Sequence, residues 1–449
     1  MKLDLYQGKI KKLYYTFLAS SLGSALVTTV YATVDSICVG QYLGPIGSAA
    51  ISCINPFWPI MIAIGLLLGV GGSVLMSNRR GAGREGEANA FFTVSIIFSL
   101  VFSVIILLLI LFFKRPLIIL FGAEGEVIDV AMEYMTPIAF SAPTFTLCAT
   151  IATFVRADGE AVLPTLGTIV GGIVNMICDV LFIFDFGLGL GAFGAGLATA
   201  IGQAVAFLII ASYFFRRKCT LKFTFIRNFI TKTVKIAVLG FSAFIIEVST
   251  GIISVIFNNL IMHYLSGDHL AVYGTASGVL IMFNCFFYSV GGAVQPIASA
   301  NYGARLLPRV KSTLKIAIIT ALSLGALLTA FAQLFPGTIL SVFMDTTDTI
   351  MEIGPGIIRI YTAATVLTGV SIVASYYLQS ILRGSLAVVL SLSRGLVFPA
   401  ILAAALPIIS PDAIWWAIPL AEIMTLFVSI AFIVAVNRRL FAPPTPEDV

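Results

Sequence analysis

The chain has 449 residues, 59% of them hydrophobic and only 10% charged, where a soluble protein carries about 25%. By length alone roughly three soluble domains would be expected, but no polar stretch is long enough to coat them, and a net charge of +5 leaves little for a nucleic-acid surface. The chain belongs in a bilayer. Met1 to Lys12 is polar and basic and leads into an apolar stretch too long for the apolar region of a signal peptide, so a retained first span is expected. Twelve stretches have the length and apolarity of membrane helices. They lie near 14–39, 49–77, 91–113, 133–155, 163–184 and 192–214, then 238–265, 271–300, 314–335, 357–381, 386–409 and 414–436.

With the N-terminus placed inside, all of the 26 Lys and Arg except Lys114, Arg115 and Arg359 fall before span 1, in alternate loops, or after span 12. Cytoplasmic loops collect basic residues in this way. The expectation is an all-α polytopic membrane protein of twelve helices with both termini cytoplasmic. The longest basic stretch, Arg216 to Lys235, interleaves its charges with Phe223, Phe225, Ile226 and Phe229, which would suit an amphipathic helix on an anionic leaflet. It divides the chain into an N-terminal six-helix lobe (1–215), a basic cytoplasmic connecting segment (216–237), and a C-terminal six-helix lobe with a short tail (238–449).

The two lobes echo one another. Val70-Gly71-Gly72 leading to Gly81-Ala82 recurs as Val290-Gly291-Gly292 leading to Gly303-Ala304. Val34-Asp35 to Leu43-Gly44 aligns with Phe257-Asn258 to Ser266-Gly267, and Arg156 stands opposite Arg383. Six spans per lobe give both halves the same orientation, a parallel repeat about an axis along the membrane normal. Such pseudo-symmetry is commoner in alternating-access carriers than in enzymes, although fold does not fix function. No H-E-x-x-H, G-x-S-x-G or G-x-x-x-x-G-K-[ST] pattern occurs, so neither a hydrolytic centre nor an ATP-driven pump is supported. The six cysteines are scattered through apolar runs and read as small buried hydrophobes.

Four acids fall inside the spans, Asp35, Asp179, Glu247 and Glu422, with no Lys or Arg at comparable depth. A carboxylate there costs about 2.5 to 3.5 kcal/mol on insertion scales, so each points to a functional or cavity-facing role. Asn175 and Asp179 share one face of span 5 at i, i+4 spacing. The Gly-rich hairpin Gly187 to Gly194 returns the chain so that Thr199 of span 6 lies beside them, and Asp35 adds a second carboxylate. These oxygens suit a small cation such as Na+; without it, the two carboxylates would share a proton. The alternative is an interhelical polar clamp that binds no ion.

Other features are read more plainly. Asn55-Pro56-Phe57-Trp58-Pro59 suggests a kink in span 2 rather than a gate. Met282, Phe283, Phe286, Phe287 and Tyr288 would line an adaptable drug cavity, packing against helices or lipid being the alternative. His263 and His269 read as interfacial. Glu422 sits in the outer third of span 12, suited either to a headgroup contact or to the cavity. Arg156, Arg383 and Arg394 are expected to hold cytoplasmic loops. Since acids but no bases are found in the spans, the central cavity should be neutral to negative and favour organic cations over anions.

Together, Val34 to Gly40, Gly81-Ala82, Arg156 to Gly159, the Asn175/Asp179 pair with its hairpin and Thr199, Gln295-Pro296, Asn301 to Ala304 and Leu382-Arg383-Gly384 resemble the multidrug and toxic compound extrusion (MATE) family over essentially the whole chain. The resemblance implies a secondary active transporter of two six-helix lobes in a bacterial inner (plasma) membrane. It would act as a Na+ or H+ antiporter that exports small, lipophilic, mainly cationic or amphipathic drugs by alternating access. It further implies Asp35, Asn175, Asp179 and Thr199 as the cation site. No cofactor beyond the coupling ion and no nucleic acid are expected; membrane lipid surrounds a monomer. Glu247, Met282, Phe283, Phe287 and Gln295 are candidates for substrate contact or coupling. Gly369 to Tyr377 holds no acid, so a second cation site in the C-lobe is not expected. The alternative is a lipid-linked oligosaccharide flippase, which would want basic residues in the cavity.

Overall fold

The computed structural model describes residues 3–54, 57–226, 228–343 and 347–440. Asn55 and Pro56 of the expected kink, Arg227 of the basic stretch and the C-terminal tail from 441 lie outside the described residues.

Among the described residues, twelve helices long and apolar enough to cross a membrane lie at the twelve expected places. They are α1 (Ile10–Gly44), α2 (described over 46–54 and Phe57–Gly81), α3 (Glu85–Leu120), α4 (Glu126–Ala157), α5 (Val162–Ile183), α6 (Gly191–Phe215), α7 (Phe229–Tyr264), α8 (Gly267–Gly303), α9 (Leu307–Leu334), α10 (Asp348–Ser380), α11 (Gly384–Ile409) and α12 (Pro411–Arg438). The shortest has 22 residues, enough at about 1.5 Å per residue to cross a hydrocarbon core of about 30 Å. Gly44, at φ 64°, turns the chain between α1 and α2, a backbone angle that glycine adopts without a Cβ clash. A π-helical turn, Ser393–Val397, interrupts α11 and carries Arg394.

In the first half α4 packs on α2, α3 and α6, while α5 packs on α1 and α6; in the second half α8, α9 and α10 pack together and α11 rests on α7 and α12. The halves meet through α1 with α8 and through α2 with α7 and α8. Small residues let these backbones approach, as is usual where lipid supplies no hydrophobic drive between helices. A Cβ on Gly303 would lie 2.1 Å from the Asn78 carbonyl, and one on Gly81 would lie 2.3 Å from that of Ala300. The echoed Gly-Ala pairs therefore face each other across the two halves.

This end of the bundle carries most of the basic residues, and it is tied shut. Asn78 donates from α2 to the Ser380 carbonyl of α10 at 3.1 Å. The segment ahead of α1 bridges both halves: the Leu3 amide donates to Gly159 O at 2.8 Å, while Asn301 and Arg309 donate to the Leu5 carbonyl at 3.0 and 3.1 Å. Above this closure lies a cavity of about 410 Å³ between the halves, walled by α1, α2, α4, α8 and α10.

The segment 216–226 is not helical, contrary to the amphipathic helix expected there. Its backbone is engaged by other elements instead. The Lys222 and Thr224 amides donate to Asn89 Oδ1 and Thr93 Oγ1 of α3, Phe223 packs on Phe92, and Thr220 is bonded to Asp158 through its amide and its hydroxyl. α7 begins at Phe229, so the last nine residues of the expected connector are its first turns.

Candidate functional site

The four residues expected to form a cation site are brought together by close helix packing in the first half. α5 carries Asn175 and Asp179 one turn apart. A Cβ on Gly202 of α6 would lie 2.7 Å from the Asn175 Cβ, and that absent methyl lets α6 approach until Asn175 Nδ2 is 3.4 Å from Thr199 Oγ1. The same amide lies 3.5 Å from Asp179 Oδ1. Both contacts are long for hydrogen bonds. α1 supplies Asp35, within electrostatic reach of Asp179.

A fifth residue joins them. Tyr134 of α4 donates its hydroxyl to Asp35 Oδ2 at 2.7 Å, and it too is buried. Asp179 is 0% exposed, Asn175 3%, and Asp35 and Thr199 8%. Asp35 Oδ1, Asn175 Oδ1 and Asp179 Oδ2 have no hydrogen-bond partner among the described residues. Buried oxygens are normally paired, so three unmet acceptors, two of them carboxylate oxygens, make a pocket rich in lone pairs and poor in donors. Such a set can take a proton or a small hard cation held by oxygen. Among the described residues no three His, Cys, Asp or Glu side chains come together.

The other candidates separate. Gln295 lines the cavity between the halves, and its Nε2 has no hydrogen-bond partner among the described residues. Glu247 of α7 lies within electrostatic reach of Cys285, Tyr288 and Tyr376, which line the same cavity. Phe283 and Phe287 do not face it. Phe283 belongs to the core of the second half, with Met282 packed against that core, and the Phe287 ring abuts Gly369 of α10. α8 turns the face bearing Cys285, Tyr288, Ser289, Gly292 and Gln295 to the cavity, so its aromatic candidates on the opposite side serve packing.

Glu422 is not among the described residues that line the cavity. It is buried and accepts from Arg394 Nε at 3.0 and 3.3 Å, while Arg394 Nη2 donates to Asn284 at 3.3 Å. Arg394 therefore holds α11 to α12 and α8 inside the second half, not a loop. Arg156, at the end of α4, lines the central cavity and donates to Ser24 Oγ at 3.3 Å. Arg156 is thus a base on the wall of a cavity that was expected to hold none, while Glu247 reaches the same wall through Cys285, Tyr288 and Tyr376. His263 stacks edge-on with Tyr264, and His269 bonds Ser266 at the same end of the bundle.

The MatE family model matches residues 21–181 and 241–404. The multidrug export protein MepA of Staphylococcus haemolyticus is 25% identical over 433 residues, covering 96% of this chain and 94% of its own. MepA of Staphylococcus saprophyticus is 23% identical over 419 residues, covering 93% and 92%. A multidrug resistance MATE family transporter solved in the outward-facing conformation shares the fold at a TM-score of 0.89, with 23% identity over 97% of this chain and 98% of that one. A MATE transporter in complex with MaL6 gives a TM-score of 0.90 at 24% identity over 97% and 98%.

Proposed function

The chain belongs to the MATE family of membrane transporters, and from that premise we propose that it is an efflux antiporter that exchanges inward-moving Na+ or H+ for lipophilic, mainly cationic organic compounds. The observation that carries this reading is the group of unmet acceptor oxygens on Asp35, Asn175 and Asp179. An ion entering there satisfies acceptors that the protein leaves unpaired, and its loss restores a strained, donor-poor pocket. An organic cation that reaches the same carboxylates competes with the ion, which is how occupancy by one can exclude the other. The multidrug export function of the MepA relatives supports the substrate side of the reading.

The basic end is assigned to the cytoplasm by its Lys and Arg. The ties from Asn78 to Ser380 and from Leu5 to Asn301 and Arg309 then close the cavity on that side, the arrangement of an outward-facing carrier. Alternating access requires these ties to break, since a carrier in which both gates open together would leak.

The flippase reading gains one observation, the Arg156 guanidinium in the cavity. It is a single base, however, and the carboxylate pocket has no role in that reading. Export of a fluorescent organic cation, measured as uptake into inverted vesicles with a Na+ or a pH gradient imposed separately, decides between them. One gradient should drive uptake, and Asp35→Asn and Asp179→Asn should each abolish it while the protein still folds and inserts. Uptake at the wild-type rate in both variants would overturn the cation site.

A further inference from the structure

Arg80 and Arg394, both set among the helices, are each neutralised by a carboxylate. Arg80 bonds Asp158 at 2.5 Å, and Arg394 bonds Glu422 at 3.0 Å. Arg156 differs. No carboxylate lies within 4.0 Å of it among the described residues, its one hydrogen bond goes to the neutral Ser24 hydroxyl, and its Nε is buried without a partner. A guanidinium stays charged under all physiological conditions and offers five N–H donors in a planar fork. Arg156 is half-buried on the cavity wall, so its charge faces that cavity without a counter-ion among the described residues.

The surroundings point the same way. Gln295, 8% exposed, presents an unpartnered Nε2 to the same cavity from α8. The Tyr376 ring of α10 lies within electrostatic reach of Arg156, and Ser24 and Ser299 add hydroxyls. The Arg156 guanidinium and the Gln295 amide thus meet one cavity from the two halves, with Glu247 reaching its wall only through Cys285, Tyr288 and Tyr376. The rest of the wall is largely apolar, with Ile62, Leu66 and Val70 of α2.

We propose that Arg156 and Gln295 form an anion-binding subsite in the central cavity, which takes the acidic group, carboxylate or phosphate, of an amphipathic ligand whose apolar body packs on α2. The proposal rests on the reading of this cavity as the substrate path and extends its substrate class from organic cations to amphiphiles that also carry an acid. The carboxylate pocket around Asp35 and the subsite at Arg156 then have opposite charge, and a zwitterion has a partner for each end.

The test uses binding rather than transport, so that its failure is separable from failure of the coupling reading. A xanthene dye with a free carboxyl group and its methyl ester are titrated by fluorescence polarisation into the purified full-length protein in detergent, with no gradient. In the wild type the free acid should bind at least as tightly as the ester. Arg156→Gln should weaken the acid about 10- to 100-fold and leave the ester unchanged or tighter. Should Arg156→Gln fail to fold, Gln295→Leu serves in its place, with an expected loss of roughly 3- to 10-fold for the acid alone. Equal weakening of acid and ester, or of neither, overturns the subsite. A second arm separates the sources of the acid. Displacement of the dye by short-chain phosphatidylglycerol but not phosphatidylcholine, in the wild type and not in Arg156→Gln, identifies a lipid headgroup. Specific binding of the dye acid without such displacement identifies a soluble organic acid.

Discussion

In the first half of the molecule two carboxylates, Asp35 and Asp179, share a pocket with an amide and two hydroxyls, and among the described residues no Lys or Arg pairs with either. In the second half, Glu422 is equally buried but is closed by Arg394 at 3.0 Å, with Asn284 on the far side of the guanidinium. The same kind of group at comparable burial has opposite standing. A carboxylate that is already paired has little left to offer a passing ion, and it fixes three helices instead. One that is unpaired leaves the pocket able to bind something else, at a cost borne by the packing around Gly202. The repeat that built both halves has thus been put to structural use in one and left chemically open in the other.

The contrast is tested most severely by stability. Glu422→Gln would leave Arg394 charged and buried without a counter-ion, and loss of one member of a buried pair costs about 3 to 5 kcal/mol. Asp179→Asn keeps the shape and relieves a crowded acceptor pocket, so it should change stability by no more than about 1 kcal/mol. Thermal unfolding in detergent should show a large drop for the first and almost none for the second. The double variant Arg394→Met with Glu422→Met should recover most of the loss, since well-packed apolar replacements of a buried pair are often neutral. If Asp179→Asn unfolds the protein as readily as Glu422→Gln, the two halves are not different in kind.

A smaller effect is expected where the halves meet. Asn78 donates to the Ser380 carbonyl, and Asn78→Ala leaves that buried oxygen unpaired only while the basic end is closed. A neutral hydrogen bond contributes about 0.5 to 1.5 kcal/mol, so the balance should move about two- to tenfold toward opening at this end. Labelling of a cysteine placed at Ser299, which lines the cavity, should quicken by that factor when the reagent is added on the basic side. An unchanged rate would show that the segment ahead of α1 holds the closure alone.

Length and apolarity were enough to locate all twelve helices, because a bilayer sets the length of its spans and leaves few alternatives. Asn175, Asp179 and Thr199 were legible for a local reason: i, i+4 spacing and a short Gly-rich hairpin fix neighbours without knowledge of the tertiary fold. Tyr134 was not, since it reaches Asp35 from a helix 99 residues further on and no spacing announces it. Its packing beside the Gly196 backbone, where a Cβ would lie 2.2 Å from the Tyr134 carbonyl, is a contact with another helix and equally invisible to spacing. Phe283 and Phe287 misled because a membrane helix is apolar all round, so hydrophobicity does not tell the cavity side from the core side. Arg394 was expected on a cytoplasmic loop although it lies ten residues into α11, so nothing in the sequence offered it to Glu422 as a partner. The basic segment 216–226 misled for a different reason. Its pattern of charge and Phe suits a helix, but Asn89, Thr93 and Asp158 claim its backbone and hydroxyl groups.

The finest distinction within the open half concerns Tyr134 itself. Its hydroxyl bonds a carboxylate, an interaction that contributes about 1.5 to 3 kcal/mol where the carboxylate is charged. That bond touches Oδ2, whereas the unmet oxygen of Asp35 is Oδ1, so ion and tyrosine need not compete for one atom. The bond is therefore present before and after an ion binds, and an interaction common to both states cancels from the binding free energy. What remains is the contribution of holding Asp35 in place beforehand. Tyr134→Phe should accordingly raise the half-saturating concentration of the coupling ion only about two- to fivefold, against the complete loss expected for Asp35→Asn. Dye uptake measured over a series of ion concentrations gives both numbers. A Tyr134→Phe variant as inactive as Asp35→Asn would make the tyrosine a direct partner of the ion, and one with unchanged half-saturation would remove it from the site.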